Sequence, residues 1–127
     1  MGSRAAGVKS ILIADDNDLI RRSVRGMFES AGWTVCGEAR NGQEAIENAK
    51  QLRPDLVIMD LSMPVMNGLT AGKILKSLMP EARLILFTSY GDVLNTDEVR
   101  SCGFSALISK NKATDLVTNA EVILHAA

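Results

Sequence analysis

Five short apolar runs, each followed by a stretch of helical period, constrain this chain more than any other feature. The runs cover residues 8–14 (with Ile11-Leu12-Ile13 at the centre), 34–38, 55–59, 83–87 and 104–109. Runs of this length are the signature of strands buried on both faces. Strict alternation of strands with helices argues an α/β domain with a parallel, doubly wound sheet. Right-handed crossovers then place helices on both faces. Polar residues close four of the runs: Asp15 and Asp16 follow the first, Asp60 the third, Thr88 the fourth and Lys110 the fifth. A parallel sheet gathers its strand ends at one edge, so these five residues are expected to share a pocket.

The intervening segments carry their own signals. Asp18 is a good N-cap type, Ile20, Val24, Met27, Phe28 and Ala31 recur at helical spacing, and Gly32 supplies a stop. Asn41 followed by Glu44 approximates a capping box before Ala45, Ile46, Ala49 and Leu52, and Pro54 ends that helix. Leu69, Ile74, Leu75 and Leu78 mark a third helix that stops before Pro80. Residues 91–102 form a weaker fourth, in which only Val93, Leu94, Val99 and Cys102 are apolar. Leu116, Val117, Ala120, Ile123 and Leu124 line a fifth. Five such units fit the flavodoxin-like strand order 2-1-3-4-5, which reverses beside strand 1 and opens a crevice at the ends of strands 1 and 3.

The 127 residues make one domain, expected over 8–127, with residues 1–7 a disordered tail or a cloning remnant. Fourteen basic residues against 15 acidic ones, with no basic stripe, argue against direct nucleic-acid binding. No apolar stretch approaches a membrane span and no signal peptide opens the chain, so a cytoplasmic protein without membrane contact is expected. Cys36 and Cys102 fit no metal or redox spacing and are expected to be inert core thiols. His125, the only histidine, is expected to be a solvated tail residue, which excludes Ser-His and Cys-His catalysis.

Several carboxylates in one crevice repel one another unless a cation joins them. Mg²⁺ takes oxygen ligands and keeps several waters. Asp15, Asp16, Asp60 and the backbone carbonyl of Ser62 suit it. Asp60 could then attack phosphorus, as carboxylate nucleophiles do, with Lys110 and Thr88 contacting phosphoryl oxygens. Each residue alone has a plainer explanation: Asp15 as a helix cap, Thr88 and Lys110 as solvated strand ends. The five together at the correct ends favour the shared site.

The stretches Ile11-Leu12-Ile13-Ala14-Asp15-Asp16 and Met59-Asp60-Leu61-Ser62-Met63-Pro64-Val65-Met66-Asn67-Gly68 resemble the receiver domain of bacterial two-component response regulators. The likeness runs from about Ser10 to Leu124. The Gly37-Glu38-Ala39-Arg40-Asn41-Gly42 segment looks most like the NarL/FixJ-type subfamily. The resemblance implies a CheY-like phosphoacceptor that catalyses only its own phosphorylation and dephosphorylation and is not otherwise an enzyme. It implies Asp60 as phosphoacceptor, Mg²⁺ held by Asp15, Asp16, Asp60 and the Ser62 carbonyl, and Thr88 and Lys110 on the phosphoryl group. A sensor histidine kinase is the implied partner.

Much of the family has an aromatic residue three positions before the lysine, where this chain has Leu107. A muted Thr88–Leu107 switch is expected, with Tyr90 at the rim shaping access and dephosphorylation. Asn111 follows the lysine where many receivers have proline, so a trans bond is expected there. The face made by helix 4, strand 5 and helix 5 is the implied output surface and a possible homodimer contact, with Asn95, Asp97, Arg100, Lys112 and Asp115 on its exposed side. The NarL/FixJ likeness implies transcription regulation through an effector domain outside this chain. The chain is either an excised receiver or a stand-alone regulator. The alternative is a pseudo-receiver, an interaction module that is never phosphorylated. Two other classes fit poorly. A haloacid-dehalogenase-type phosphatase needs an acid where Ser62 stands, and Gly68-Leu69-Thr70-Ala71-Gly72-Lys73 is one residue short of a P-loop.

Overall fold

Along the chain of the computed structural model, which describes residues 8–90 and 93–125, lie β1 (Ser10–Ala14), α1 (Asp18–Ser30), β2 (Thr34–Ala39), α2 (Gly42–Leu52), β3 (Leu56–Met59), α3 (Gly68–Leu78), β4 (Arg83–Thr88), α4 (Thr96–Ser101), β5 (Ala106–Ser109) and α5 (Leu116–His125). A 3-10 turn over Lys110–Asp115 joins β5 to α5. The five strands pair in parallel in the order β2-β1-β3-β4-β5, as expected.

The two-residue period of each strand divides the core. Leu12, Val57, Met59, Leu84 and Leu86 pack with Ala45 and Ala49 of α2, Ala71 and Leu75 of α3, and Val99 of α4. Their neighbours Ile11, Ile13, Ile58, Ile85 and Phe87 pack on the opposite face with Val24 and Phe28 of α1 and Leu116 and Ala120 of α5. Each fully buried side chain of this size contributes about 1.5–3 kcal/mol of hydrophobic stabilisation. Phe28 and Trp33 meet edge to face, centroids 5.1 Å apart, and close the end of α1 over the start of β2.

Several boundaries and caps differ from the sequence expectation. Asn17, not Asp18, caps α1, its side chain accepting from the Leu19 and Ile20 amides. Gly32 adopts φ +90° and stops α1 as expected. Asn41 caps α2, but Glu44 reaches back to the Arg40 amide rather than to that of Asn41. α4 spans only six residues, because Asn95 caps it at Thr96. Gly91 and Asp92, where a longer helix was expected to start, lie outside the described residues, as do residues 1–7. Ala31, Leu52 and Leu78, expected on apolar faces, are exposed near helix ends. Cys102 is buried, but Cys36 is half-buried on the edge strand at an irregularity where Ile11 pairs with Val35 and Leu12 with Gly37. No described peptide bond is cis, Lys110–Asn111 included. No described helix is long and apolar enough to cross a membrane. His125 closes α5, exposed, with Nε2 3.5 Å from Glu121.

Candidate functional site

β1 and β3 are adjacent and in register, with Ala14 beside Met59, so the next residues, Asp15 and Asp60, leave the sheet together. The Asp60 amide donates to the Ala14 carbonyl at 2.9 Å, and the Asp15 amide donates to Ala39 at 3.0 Å. The backbone thus stays in the ladder up to the residues that carry the acids. Carboxylate oxygens of Asp15, Asp16 and Asp60 lie within 4.8 Å of one another. Asp15 and Asp60 are buried and Asp16 is exposed.

Lys110, at the end of β5, reaches across to both buried acids. Its Nζ lies 3.0 Å from Asp60 Oδ2, to which it donates, and 2.7 Å from Asp15 Oδ2. Burial works to lower the Lys110 pKa, but the two carboxylates outweigh it and hold the pKa above the usual lysine value. Each acid has one oxygen satisfied by local backbone: Asp15 Oδ1 accepts from Asn17 N at 2.9 Å and Asp60 Oδ1 from Leu61 N at 2.7 Å. Asp15 Oδ2 is buried and has the Lys110 ammonium, 2.7 Å away, as its partner. A carboxylate oxygen carries a second lone pair, so it can accept a further cation. Three acids against one ammonium, all hard oxygen donors, fit Mg²⁺.

The loop after Asp60 is tightly folded. Gly68 N donates to the Leu61 carbonyl at 2.8 Å, and a Cβ at Gly68 would stand 2.0 Å from the Asp60 carbonyl oxygen. Only glycine permits that approach. Val65 has φ +69°, and Met66 N donates to Pro64 O at 2.7 Å, a γ-turn on a β-branched residue. The Met66 carbonyl in turn accepts from Gly42 N at 3.0 Å, which ties the loop to the start of α2. Ser62 is exposed on this loop.

The remaining expected residues sit around the core of the site. Thr88 is fully buried at the end of β4, beside Ser109 and so next to Lys110 in register. Its Oγ1 accepts from Tyr90 N at 3.3 Å. Tyr90 is 54% exposed beyond the strand. Leu107 lies back along β5, half-buried beside Leu86, and lines a groove between α4 and α5 with Val99, Arg100, Lys112 and Asp115. Asn95, Asp97, Arg100, Lys112 and Asp115 are all exposed, as expected. The structure therefore gathers Asp15, Asp16, Asp60 and Lys110 directly, and places Leu107 and the groove away from them.

One neighbour of the site went unnoticed in the sequence. Arg21 is 6% exposed and donates from Nη1 to the Asp15 carbonyl at 2.6 Å. Its Nε pairs with Glu38 at 2.8 Å and its Nη2 with Asp18. The signal was available: Arg21, Val24 and Phe28 share one helical stripe, so an arginine stands where the pattern calls for an apolar residue.

A family profile described as "Response regulator receiver domain" matches residues 11–121. The transcriptional regulatory protein LnrK of Bacillus subtilis is 34% identical over 116 residues, 91% of this chain and 53% of LnrK. The chain thus spans about half of that relative's length. The chemotaxis protein CheY of Thermotoga maritima is 38% identical over 102 residues, 80% of this chain and 85% of CheY. Among solved structures, a two-component response regulator of the LuxR family from Aurantimonas sp. SI85-9A1 superposes with TM-score 0.85 at 27% identity, covering 93% of this chain and 86% of that one. A profile match along nearly the whole chain, a shared sheet order and an acidic strand-end edge agree, and this chain belongs to the response regulator receiver domain family.

Proposed function

We propose that the domain, taken as residues 8–127, accepts a phosphoryl group on Asp60 from a phosphohistidine of a sensor histidine kinase. The observation that carries this reading is Lys110 bridging Asp15 and Asp60 at the edge where three carboxylates converge. In the transfer, an Asp60 carboxylate oxygen forms a bond to phosphorus as the phosphorus–nitrogen bond of the donor breaks. The donor imidazole leaves with that electron pair. Lys110 pairs with one phosphoryl oxygen and the Thr88 hydroxyl donates to another. Asp15, Asp16, Asp60 and the Ser62 carbonyl would hold Mg²⁺. Bound there, the ion supplies charge neutralisation for the phosphoryl oxygens.

The new charge is read through Thr88 and a muted shift at Leu107, which lines the α4–β5–α5 groove. That face is the output surface and a candidate homodimer contact. Likeness to LnrK and to a LuxR-family regulator favours the NarL/FixJ-type subfamily and a cytoplasmic transcription regulator. The test is incubation with acetyl phosphate and MgCl₂ followed by intact mass. A gain of one phosphoryl group that vanishes in Asp60→Asn is expected. Its absence in the unmodified chain would assign the fold to an unphosphorylated interaction module.

A further inference from the structure

We propose that Arg21 is a positioning residue for the acidic edge, holding the Asp15–Asp16 turn in the orientation that binds a divalent cation. The inference rests on the metal-binding reading of Asp15, Asp16 and Asp60 given above.

The Asp15 carbonyl has left β1 and precedes the first turn of α1, so neither the ladder nor the helix supplies it with a donor. A buried carbonyl in that position needs one. Arg21 provides it at 2.6 Å. The reach follows from helix geometry. Arg21 N closes the first α1 hydrogen bond, onto the Asn17 carbonyl, and helical side chains tilt toward the N-terminus. The guanidinium therefore lies back over the turn that carries both acids. Its other edge is fixed by Glu38 on β2 and by Asp18. One planar cation thus ties together the end of β1, the start of α1 and β2. The peptide whose orientation it sets joins Asp15 to Asp16.

Arg25 supplies an internal control. It also pairs with Glu38, Nε to Oε2 at 2.7 Å, and with Glu29 at 3.0 Å. Among its bonds none reaches the Asp15–Asp16 turn. Charge and position also make opposite predictions. If Arg21 acted only as a nearby cation, its removal would tighten binding of a divalent ion. If it positions the turn, removal weakens binding.

The experiment titrates MgCl₂ into the unmodified chain, Arg21→Met and Arg25→Met, following backbone amide NMR shifts at residues 15, 16 and 60. Residues that orient metal ligands typically change affinity by 10–100-fold, so about a tenfold rise in Kd is expected for Arg21→Met and no change for Arg25→Met. Arg21→Lys keeps the charge but cannot span the carbonyl and both acids, and should fall between. Unchanged or tighter Mg²⁺ binding in Arg21→Met overturns the proposal, as does an equal loss in Arg25→Met. If Arg21→Met does not fold, the same reading applies to Arg21→Lys. Failure of the unmodified chain to bind Mg²⁺ at these residues would instead remove the metal-binding reading itself.

Discussion

The two sides of the sheet are built differently. On one side, β1 and β3 are buried along their whole length and α1 runs for 13 residues over them. On the other, only Ile108 of the four β5 residues is buried, and α4 is six residues with Val99 alone buried. The acids leave from the first side, on backbone held by dense packing on both faces. Lys110 and the groove at Leu107 belong to the second. Regions with few buried apolar contacts open at lower free energy than the core. The fold thus joins a rigid acidic edge to a lightly covered flank, and a charge arriving at the edge can more easily move the flank than the acids.

Core truncation should expose this difference most strongly. Leu12→Ala on β1 removes a fully buried side chain and is expected to cost about 2–5 kcal/mol. Leu107→Ala, half-buried beside the groove, should cost less than half as much. Urea unfolding of both variants measures the contrast. Equal losses would mean that the two sides are equally packed in solution.

Lys110→Met comes next, because it leaves two buried carboxylates without their cation. Breaking a buried pair from one side costs about 3 kcal/mol. The Lys110 pKa is raised in the folded state, so its contribution is full below the ordinary lysine value. It is lost as pH rises through the higher folded value. Stability measured against pH should show that alkaline loss in the unmodified chain and not in Lys110→Met. Added MgCl₂ should restore part of the variant's stability, since a cation bound to the folded state alone stabilises it. No restoration by MgCl₂ would separate the lysine's role from cation occupancy.

How far the molecule could be read in its sequence follows the same division. Strands covered on both faces announce themselves as apolar runs, so the sheet order and the strand-end positions of Asp15, Asp16, Asp60, Thr88 and Lys110 were legible. The covered helices were legible too, with the Asn41 cap of α2; the α1 cap was missed because Asn17 and Asp18 are chemically similar capping types one residue apart. The lightly covered flank was not. α4 has one buried residue, so no periodic stripe marks its ends, and the expected start at Gly91 ran past the Asn95 cap. The 3-10 turn over Lys110–Asp115 has no buried residue and no apolar pattern to betray it. Arg21 was missed for another reason: a helical pattern shows which stripe faces inward, but a charged residue on that stripe has meaning only once Glu38 and the Asp15 carbonyl are in place.

The smallest expected effect concerns Tyr90, which stands on the border between the two sides. Its amide donates to the Thr88 hydroxyl at 3.3 Å, while its side chain stays half in solvent beyond β4. As a rim residue, Tyr90 is expected to limit with its ring the approach of water to a phosphoryl group on Asp60. Tyr90→Ala keeps the backbone donor and removes only the ring, so Thr88 should stay in place while water gains access. The expected outcome is a phosphoryl lifetime shortened a fewfold, under about 1.4 kcal/mol of barrier. Loss of mass with time after removal of acetyl phosphate measures it. Leu107→Ala, on the flank, should leave that lifetime unchanged while altering the groove. An unchanged lifetime in Tyr90→Ala would place Tyr90 with the flank, as part of the surface that responds and not of the edge that protects the chemistry.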